Sequence, residues 1–280
     1  MRSSPRCLEC GLEQCQRIVR LCGVDEKRAE ILRKGLLQVA ENLSLNEPPS
    51  TYTSKLLVAT MEFLGNRDPF AKVKEEQNRR AQEMAARLDE KLAEGDEGLK
   101  VALKIAAAGN VIDVGPGRSF DINDLLARLH FAHDDSDLLI ARLKKARRVV
   151  YILDNAGEVI FDKLVLRRLP DLELTIVARS SPILNDVTVE EAKGLGLDRL
   201  GRVIGTGSPY LGIDFNTVSE EFLRFYYEAD LVIAKGHANF ESLVNSKRDG
   251  FYLLTAKCEV VADFLGVKPG ESVCLYSLGG

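Results

Sequence analysis

The sequence predicts an α/β fold: a Rossmann-like α/β/α sandwich with a mainly parallel sheet, plus an N-terminal all-helical region. Apolar residues recur with a helical period of about 3.6 through the first half of the chain. From Ala146 onward, short β-branched or aliphatic runs alternate with helical segments, which is typical of a parallel sheet covered on both faces. We therefore divide the 280 residues into a helical region, 1–145, and a Rossmann-like domain, 146–280.

The helical region shows start and stop signals along the chain. Asp25 is a suitable N-cap for the stretch DEKRAEILRKGLLQVAENLSL, whose apolar residues share one helical face. The prolines of EPPS, residues 47–50, end that pattern, and the next helix stops at Gly65. A long charged helix follows, and a break between Gly95 and Gly98 separates it from an apolar helix. The charged stretch is typical of a solvent-exposed helix face.

The second region alternates strands with helices at residues 158–169, 189–194 and 219–227. The predicted strands are the runs RRVVYILDN, LELTIVARS, GRVIGTG, ADLVIAKG, GFYLLTAKC and ESVCLYS. In open parallel sheets, ligands bind beyond the carboxyl ends of the strands. The residues that follow each run are therefore the candidates for a functional site.

Composition narrows the class of protein. Hydrophobic residues make up 45% and charged residues 29% of the chain, the net charge is −4, and the pI is near 5.6. No basic face is indicated, so we expect no nucleic-acid partner. No apolar stretch approaches the roughly 20 residues of a membrane span, and the N-terminal sequence lacks a signal-peptide core, so we expect a cytoplasmic protein without a membrane partner. The sequence leaves the oligomeric state open.

Oxygen-bearing side chains collect after the first two predicted strands. Asp154 and Asn155 follow the first strand directly, and Asp186 comes shortly after the second. Two carboxylates and a carboxamide are ligands that suit a hard divalent cation such as Mg²⁺ or Mn²⁺. Each residue alone is equally typical of a helix cap or an Asx-turn. Their occurrence on neighbouring strand ends favours a metal site.

Positive charge and glycine occur at the same strand ends. Arg179 and Lys235 can provide charge for an anion beside the cation, and Gly157 permits a tight turn into a helix whose amides can bind an anion. The sequence has neither a G-x-G-x-x-G motif after the first strand nor a Walker motif. Dinucleotide binding and Walker-type nucleotide hydrolysis therefore lose support.

Three stretches resemble one known family when they are taken together. These are DNAGE at 154–158, RSSPILND at 179–186 and KGHANFE at 235–241, and they resemble the metal-dependent damage-control phosphatases, domain-of-unknown-function family eighty-nine. CLEC at 7–10 and AAAGNVIDVG at 106–115 resemble the prokaryotic, CxxC-containing branch. The resemblance extends over nearly the whole chain.

The resemblance implies an α/β/α domain with a helical addition and hydrolysis of phosphate monoesters of small, damaged or surplus metabolites. It implies a divalent cation, which can be Mn²⁺, Mg²⁺, Co²⁺ or Ni²⁺. Carried over by motif, the metal ligands are Asp154, Asn155 and Asp186, and Lys235 holds the phosphate. On this interpretation the domain 146–280 binds the metal and a small phosphorylated metabolite.

Further roles follow from this hypothesis. Arg179 and Ser180 lie beside the phosphate, and Asn239 either faces the ligand or caps the next helix. Glu158 positions water or transfers a proton, or it is a first-turn carboxylate favoured by the helix dipole. Asp154 has a catalytic role as a ligand, and direct attack on phosphorus by its carboxylate is a weaker alternative because its lone pairs are engaged.

The helical region contributes two open questions. Asn110 and Asp113 have either a substrate-side role or a turn role. Cys7 and Cys10 are a redox pair, a metal-binding pair or structural residues, and the next pair, Cys15 and Cys22, has poor spacing for zinc.

The sequence alone leaves two functions of other classes open. The Rossmann-like fold class and the family resemblance both allow an S-adenosylmethionine-dependent carboxyl methyltransferase. That enzyme would need a glycine-rich turn after the first strand, where this sequence has the stretch 154–158 instead. A non-enzymatic protein that binds a metal or a phosphometabolite is the other alternative.

Overall fold

The computed structural model describes residues 1–65, 68–109, 129–169 and 171–279. The helices are α1 (Pro5–Leu21), α2 (Glu26–Glu41), α3 (Pro49–Leu64), α4 (Ala71–Asp89), α5 (Gly95–Ala108), α6 (Ser136–Leu143), α7 (Glu158–Leu166), α8 (Val189–Gly194), α9 (Glu220–Glu228), α10 (Gly236–Leu243) and α11 (Glu259–Leu265). The strands are β1 (Phe131–Asp134), β2 (Arg148–Ile152), β3 (Glu173–Ala178), β4 (Arg202–Gly205), β5 (Leu231–Lys235), β6 (Gly250–Thr255) and β7 (Ser272–Ser277). None of these described helices combines the length and the hydropathy that a membrane span needs.

The strands form one sheet in the order β1-β7-β6-β5-β2-β3-β4. All neighbouring pairs are parallel except β6 and β7, which are antiparallel. The predicted fold class, a mainly parallel α/β sheet, is confirmed. The six predicted strands are all present, and β1 is an additional strand that the sequence analysis missed because its four residues, FAHD, include only two apolar ones.

The central strands are buried on both faces, as their continuous apolar sequences require. In β2, Val149 and Tyr151 join one hydrophobic cluster, and Val150 and Ile152 join another on the opposite face. This alternation follows from the two-residue period of a strand. Helices α4, α5, α6 and α7 cover the first face, while α9, α10 and α11 cover the second.

This arrangement changes the predicted division of the chain. The sequence predicts a helical region over residues 1–145, yet β1 lies inside it and α4 and α5 form part of a helical layer of the sandwich. Apolar residues of α4 and α5, such as Leu88 and Leu103, share a core with the strands. The α/β core therefore extends well before residue 146.

Helices α1, α2 and α3 form a separate layer with its own hydrophobic cluster. Cys15, Ile18 and Leu56 are buried there, together with Ile183 and Leu211 from loops of the sheet. The Asp25 carboxylate accepts a hydrogen bond from the Arg28 backbone N–H (3.0 Å), so the predicted N-cap of α2 is confirmed. Because the loop residues belong to strand ends, this layer lies over the edge of the sheet where ligands bind in such folds.

The position of the core predicts how fragments of the chain behave. A fragment of residues 146–280 lacks β1, α4 and α5, so it exposes an apolar face of the sheet, and we expect no cooperative thermal unfolding by circular dichroism. A fragment of residues 68–280 keeps β1, α4 and α5 and loses only α1, α2 and α3. We expect this fragment to unfold cooperatively. Equal behaviour of the two fragments would contradict this division of the core.

Candidate active site

The candidate site lies at the carboxyl ends of β2 and β5, where the order of the sheet reverses. From β2 the chain adds β3 and β4 on one side and then returns to place β5 on the other side. Crossover loops leave a crevice at such a switch point, and ligands bind there in open α/β sheets. Asp154 follows β2, and Lys235 is the last residue of β5.

Backbone pairing brings the three predicted metal ligands together. Asn155 and Asp186 form an antiparallel β-bridge. The Val187 N–H donates to the Asp154 carbonyl (2.9 Å), and the Ala156 N–H donates to the Asn185 carbonyl (2.8 Å). The loops after β2 and β3 are thus joined by a short ladder of their own, and the side chains of Asp154, Asn155 and Asp186 are all buried.

Hydrogen bonds orient the Asn155 amide. Its Nδ2 donates to Asp154 Oδ2 (2.6 Å) and to Glu158 Oε1 (3.0 Å), which leaves its carbonyl oxygen Oδ1 available as a ligand. Glu158 is the first residue of α7, and its Oε2 lies 3.6 Å from Lys235 Nζ. These contacts support an orienting role for Glu158 toward Asn155, and its role in positioning water or transferring a proton stays a prediction.

Among the described residues, buried carboxyl groups outnumber buried cationic side chains around this point. Burial and the nearby Asp186 and Glu158 raise the pKa of Asp154 well above its ordinary value. Burial also raises the pKa of Asp186, although Arg179 opposes this shift. The buried acids are Asp154, Glu158, Asp162 and Asp186, and the buried cations beside them are Arg179 and Lys235.

A divalent cation fits this imbalance and the available ligands. The free atoms are carboxylate and amide oxygens, which are the ligands that hard divalent cations prefer. Among the described residues no group of three or more His, Cys, Asp or Glu side chains is arranged to hold a metal. The candidate ligands are two carboxylates and one amide, so water and substrate would complete the coordination.

Gly236 makes room for the Asp154 carboxylate. Its φ is +75°, and a Cβ atom at this position would collide with the carboxylate group of Asp154. Both the backbone conformation and the close contact therefore require glycine. This explains why a glycine separates β5 from the body of α10.

Arg179 lies inside the protein and is not free to meet a phosphate. Its Nε donates to Asp186 Oδ2 (2.7 Å), its Nη1 to the Gly212 carbonyl (2.9 Å) and its Nη2 to Asn239 Oδ1 (3.0 Å). The side chain is only 2% exposed. The predicted phosphate contact gives way to a different role, because this guanidinium fixes and balances the Asp186 carboxylate.

Lys235 is also internal. Its Nζ donates to Asp162 Oδ1 (2.7 Å) and to the Ala106 carbonyl (2.8 Å), and the side chain is completely buried. The Tyr151 hydroxyl donates to the same Asp162 oxygen (2.8 Å). In this structure Lys235 belongs to a buried network that joins β5, α5 and α7 behind Glu158, and its contact with a phosphate stays a prediction.

The remaining predicted phosphate contacts are used elsewhere. Asn239 Nδ2 donates to the Leu153 carbonyl (2.9 Å) and the Lys235 carbonyl (2.7 Å), so this amide holds strand ends together. Ser180 Oγ accepts a hydrogen bond from the Gly207 N–H (2.6 Å) and fixes a neighbouring loop. Asn110 and Asp113 lie outside the residues that the structure describes.

A cavity of about 640 Å³ opens over the three ligands. Its walls come from the strand ends on one side and from α1 and the start of α3 on the other. The lining residues include Asp154, Asn155, Asp186, Lys257, His237, Glu241, Cys7, Cys10, Cys258 and Arg17. Pockets for small molecules commonly enclose about 300–1,000 Å³, so a metabolite fits.

Lys257 is a cationic residue of the cavity that is not among the predicted site residues. It follows β6, lines the cavity, and its charge opposes the burial-driven rise in the pKa values of Asp154 and Asp186. Unlike Arg179 and Lys235, it is exposed. Its place just past the end of a strand could have been recognised from the sequence.

Helix α4 also contributes residues that sequence reasoning missed. Asn78 Oδ1 accepts a hydrogen bond from the Gly157 N–H (2.7 Å), and Gln77 Oε1 accepts one from Asn185 Nδ2 (3.3 Å). The helix thus contacts both loops that carry the candidate ligands.

The CxxC pair, Cys7 and Cys10, lies in the same cavity as Cys258, which leaves the role of the pair open.

Comparison with known proteins identifies the family of this chain. Residues 3–273 match the family model described as the damage-control phosphatase ARMT1-like domain. The chain belongs to this family. A family member named damage-control phosphatase PH1575, from Pyrococcus horikoshii, is 37% identical, with 98% of each chain covered. A damage-control phosphatase from Archaeoglobus fulgidus is 31% identical over 98% of each chain.

The family relationship extends to the fold. A crystal structure described as a DUF89 family protein from Pyrococcus horikoshii matches with a TM-score of 0.89 and 35% sequence identity. The match covers 98% of this chain and 99% of the other.

Replacing Gly236 by alanine tests the close contact with Asp154. We expect a loss of about 1–3 kcal/mol in the free energy of unfolding, measured by urea denaturation, because the new Cβ strains the backbone and displaces the carboxylate. Gly266→Ala is the matched control: φ is +67° there, but no atom lies within 4 Å of the added Cβ, so about 1 kcal/mol is expected. A Gly236→Ala loss no larger than the control's would contradict the contact.

Glu241 gives a pH-dependent test. Burial raises its pKa from 4.5 to about 8, so the folded protein keeps a proton that the unfolded chain releases. The stability of the wild type should therefore fall as pH rises from 4.5 toward 8, and Glu241→Gln should remove that loss.

Urea denaturation at both ends of this range measures the effect. We expect the stability gain of Glu241→Gln over wild type to increase by about 1 kcal/mol or more at the higher pH. The exposed Glu221→Gln is the control and should show the same difference at both pH values. A pH-independent Glu241→Gln difference would show that this carboxyl is not shifted.

Proposed function

We propose that this protein is a divalent-metal-dependent phosphatase that hydrolyses phosphate monoesters of small phosphorylated metabolites, including damaged or surplus ones. One observation carries the proposal: Asp154, Asn155 and Asp186 meet at the switch point of the sheet and line a cavity that also contains Lys257. Relatives named damage-control phosphatases, similar over nearly the full length, support the same reaction.

The side-chain oxygens of Asp154, Asn155 and Asp186 would hold the cation. Mn²⁺, Mg²⁺, Co²⁺ and Ni²⁺ all accept such ligands. When bound, the cation would supply Lewis-acid stabilisation of charge on the phosphoryl group. The excess of buried carboxylates over buried cations supports this assignment, because a doubly charged ion would offset it.

The chain's own groups divide the remaining work. The Lys257 ammonium binds phosphoryl oxygens and stabilises the charge that develops on them. Arg179 holds Asp186, and Glu158 with Lys235 holds the Asn155 amide, so the ligand oxygens keep fixed positions. The cavity wall from α1 and α3 limits access of water and shapes the pocket for the rest of the metabolite.

We favour the phosphatase over the methyltransferase on the turn after β2. That turn carries Asp154 against Gly236 and pairs with the loop that carries Asp186, which leaves no glycine-rich turn for the methyl-donor cofactor.

The cysteines of the described residues are free thiols, and this supports action in the cytoplasm, a reducing compartment.

Hydrolysis of p-nitrophenyl phosphate by metal-stripped protein tests the function. We expect no activity until Mn²⁺, Mg²⁺, Co²⁺ or Ni²⁺ is added, because carboxylates and an amide cannot themselves stabilise negative charge on the phosphoryl oxygens. Asp154→Ala and Asp186→Ala should each lower kcat/KM by about 100-fold or more. The exposed Asp263→Ala is the control and should keep wild-type activity.

Two results would count against the proposal. Activity that survives both ligand substitutions would move the reaction away from this site. Calorimetric binding of S-adenosylmethionine, with no hydrolysis under any cation, would favour the methyltransferase instead.

A further inference from the structure

Lys257 occupies a position where an unsupported lysine would be mobile. It stands in the turn between β6 and α11, its side chain is exposed, and a lysine stem has four rotatable carbons. The preceding residue, Ala256, is held by backbone hydrogen bonds with Glu271 (2.8 Å) and Gly270 (2.7 Å). The Lys257 N–H instead bonds to a side chain, since it donates to His237 Nε2 at 2.8 Å.

The acceptor of this hydrogen bond is fixed in position. His237 belongs to α10, one residue after the glycine that contacts Asp154. The carbonyl oxygen of Thr255, the last residue of β6, lies 2.8 Å from the same Nε2. A neutral ring nitrogen forms one of these two bonds at a time, and both partners flank Ala256, so either bond ties the start of α10 to the turn that carries Lys257.

The chemistry of the ring agrees with an accepting role. Burial and the charge of Lys257 lower the His237 pKa from 6.5 to about 4, so the ring is neutral near neutral pH. A backbone N–H can only donate, so the bond to Lys257 belongs to the tautomer with the ring proton on Nδ1, whereas in the other tautomer Nε2 donates to the Thr255 carbonyl.

The position of Lys257 matters electrostatically. Lys257 lines the same cavity as Asp154 and Asp186, and its charge opposes the rise in the pKa values of both carboxyls, so its charge acts on the candidate metal ligands. A shift of this turn would move that charge away from the place where a phosphoryl group would lie.

We propose that His237 is a positioning residue for Lys257: its imidazole holds the turn after β6 so that the lysine ammonium faces the phosphate. This inference rests on the proposed function, because it needs a phosphate for Lys257 to bind. The alternative is a histidine that only stabilises the fold, and the two differ in whether the effect of His237 depends on Lys257.

A double-mutant cycle separates them. His237→Phe keeps a ring of similar size without an acceptor, and His237→Gln keeps an acceptor whose amide can also donate to Thr255. With p-nitrophenyl phosphate and Mn²⁺, we expect kcat/KM to fall about tenfold in His237→Phe and to stay within about threefold of wild type in His237→Gln. Lys257→Ala should lose about tenfold or more, and adding His237→Phe to it should cost less than about twofold further.

Each outcome decides the question. Near-additive losses in the double variant, or equal losses in the Phe and Gln variants, would overturn the positioning role. If His237→Phe fails to fold by circular dichroism, His237→Leu takes its place in the cycle. If the wild type hydrolyses no phosphate ester, the proposed function fails, and the same cycle is run on calorimetric affinity for inorganic phosphate with Mn²⁺. Failure of the wild type to bind phosphate would overturn the positioning role as well.

Discussion

The repulsion between buried carboxylates is the constraint on which this site depends. Asp154 and Asp186 come from different loops, yet a β-bridge beside them forces their side chains into one buried place. Such an arrangement costs free energy unless positive charge is close. Arg179 supplies part of it beneath Asp186, and Lys235 supplies part behind Glu158. The remaining deficit of positive charge is the reason that we propose a divalent cation as the occupant.

The helical part of the chain completes both the core and the pocket. Helices α4 and α5 cover one face of the sheet, and α5 also gives the Ala106 carbonyl to Lys235. Helix α4 gives Asn78 to the turn at Gly157. Helices α1 and α3 supply the opposite wall of the cavity. Helices α4 and α5 thus support the loops that carry the candidate ligands, and helices α1 and α3 cover them. The pocket therefore depends on helices from the N-terminal half of the chain as well as on the strand ends.

The sequence predicted the sheet and the convergence of its loops, because both follow from strand period and parallel topology. It did not predict which charged residues point inward. The two-residue period of a strand does indicate that Lys235 points inward, because it shares a strand face with Leu231 and Ile233. That face packs against α5 and α7. Lys257, two residues past the end of its strand, is not subject to that rule. Strand β1 was missed because its polar residues carry no apolar pattern, and its pairing with β7 is a tertiary effect.

Buried and solvent-exposed cationic side chains at this site should respond differently to salt concentration. Arg179 and Lys235 lie away from solvent, so mobile ions cannot gather around them, and their hold on the carboxylates persists as electrolyte concentration rises. Lys257 faces the solvent, and its attraction for an anion weakens with each added ion. If the proposed function holds, added electrolyte would therefore weaken the binding of an anionic metabolite more than the binding of the cation.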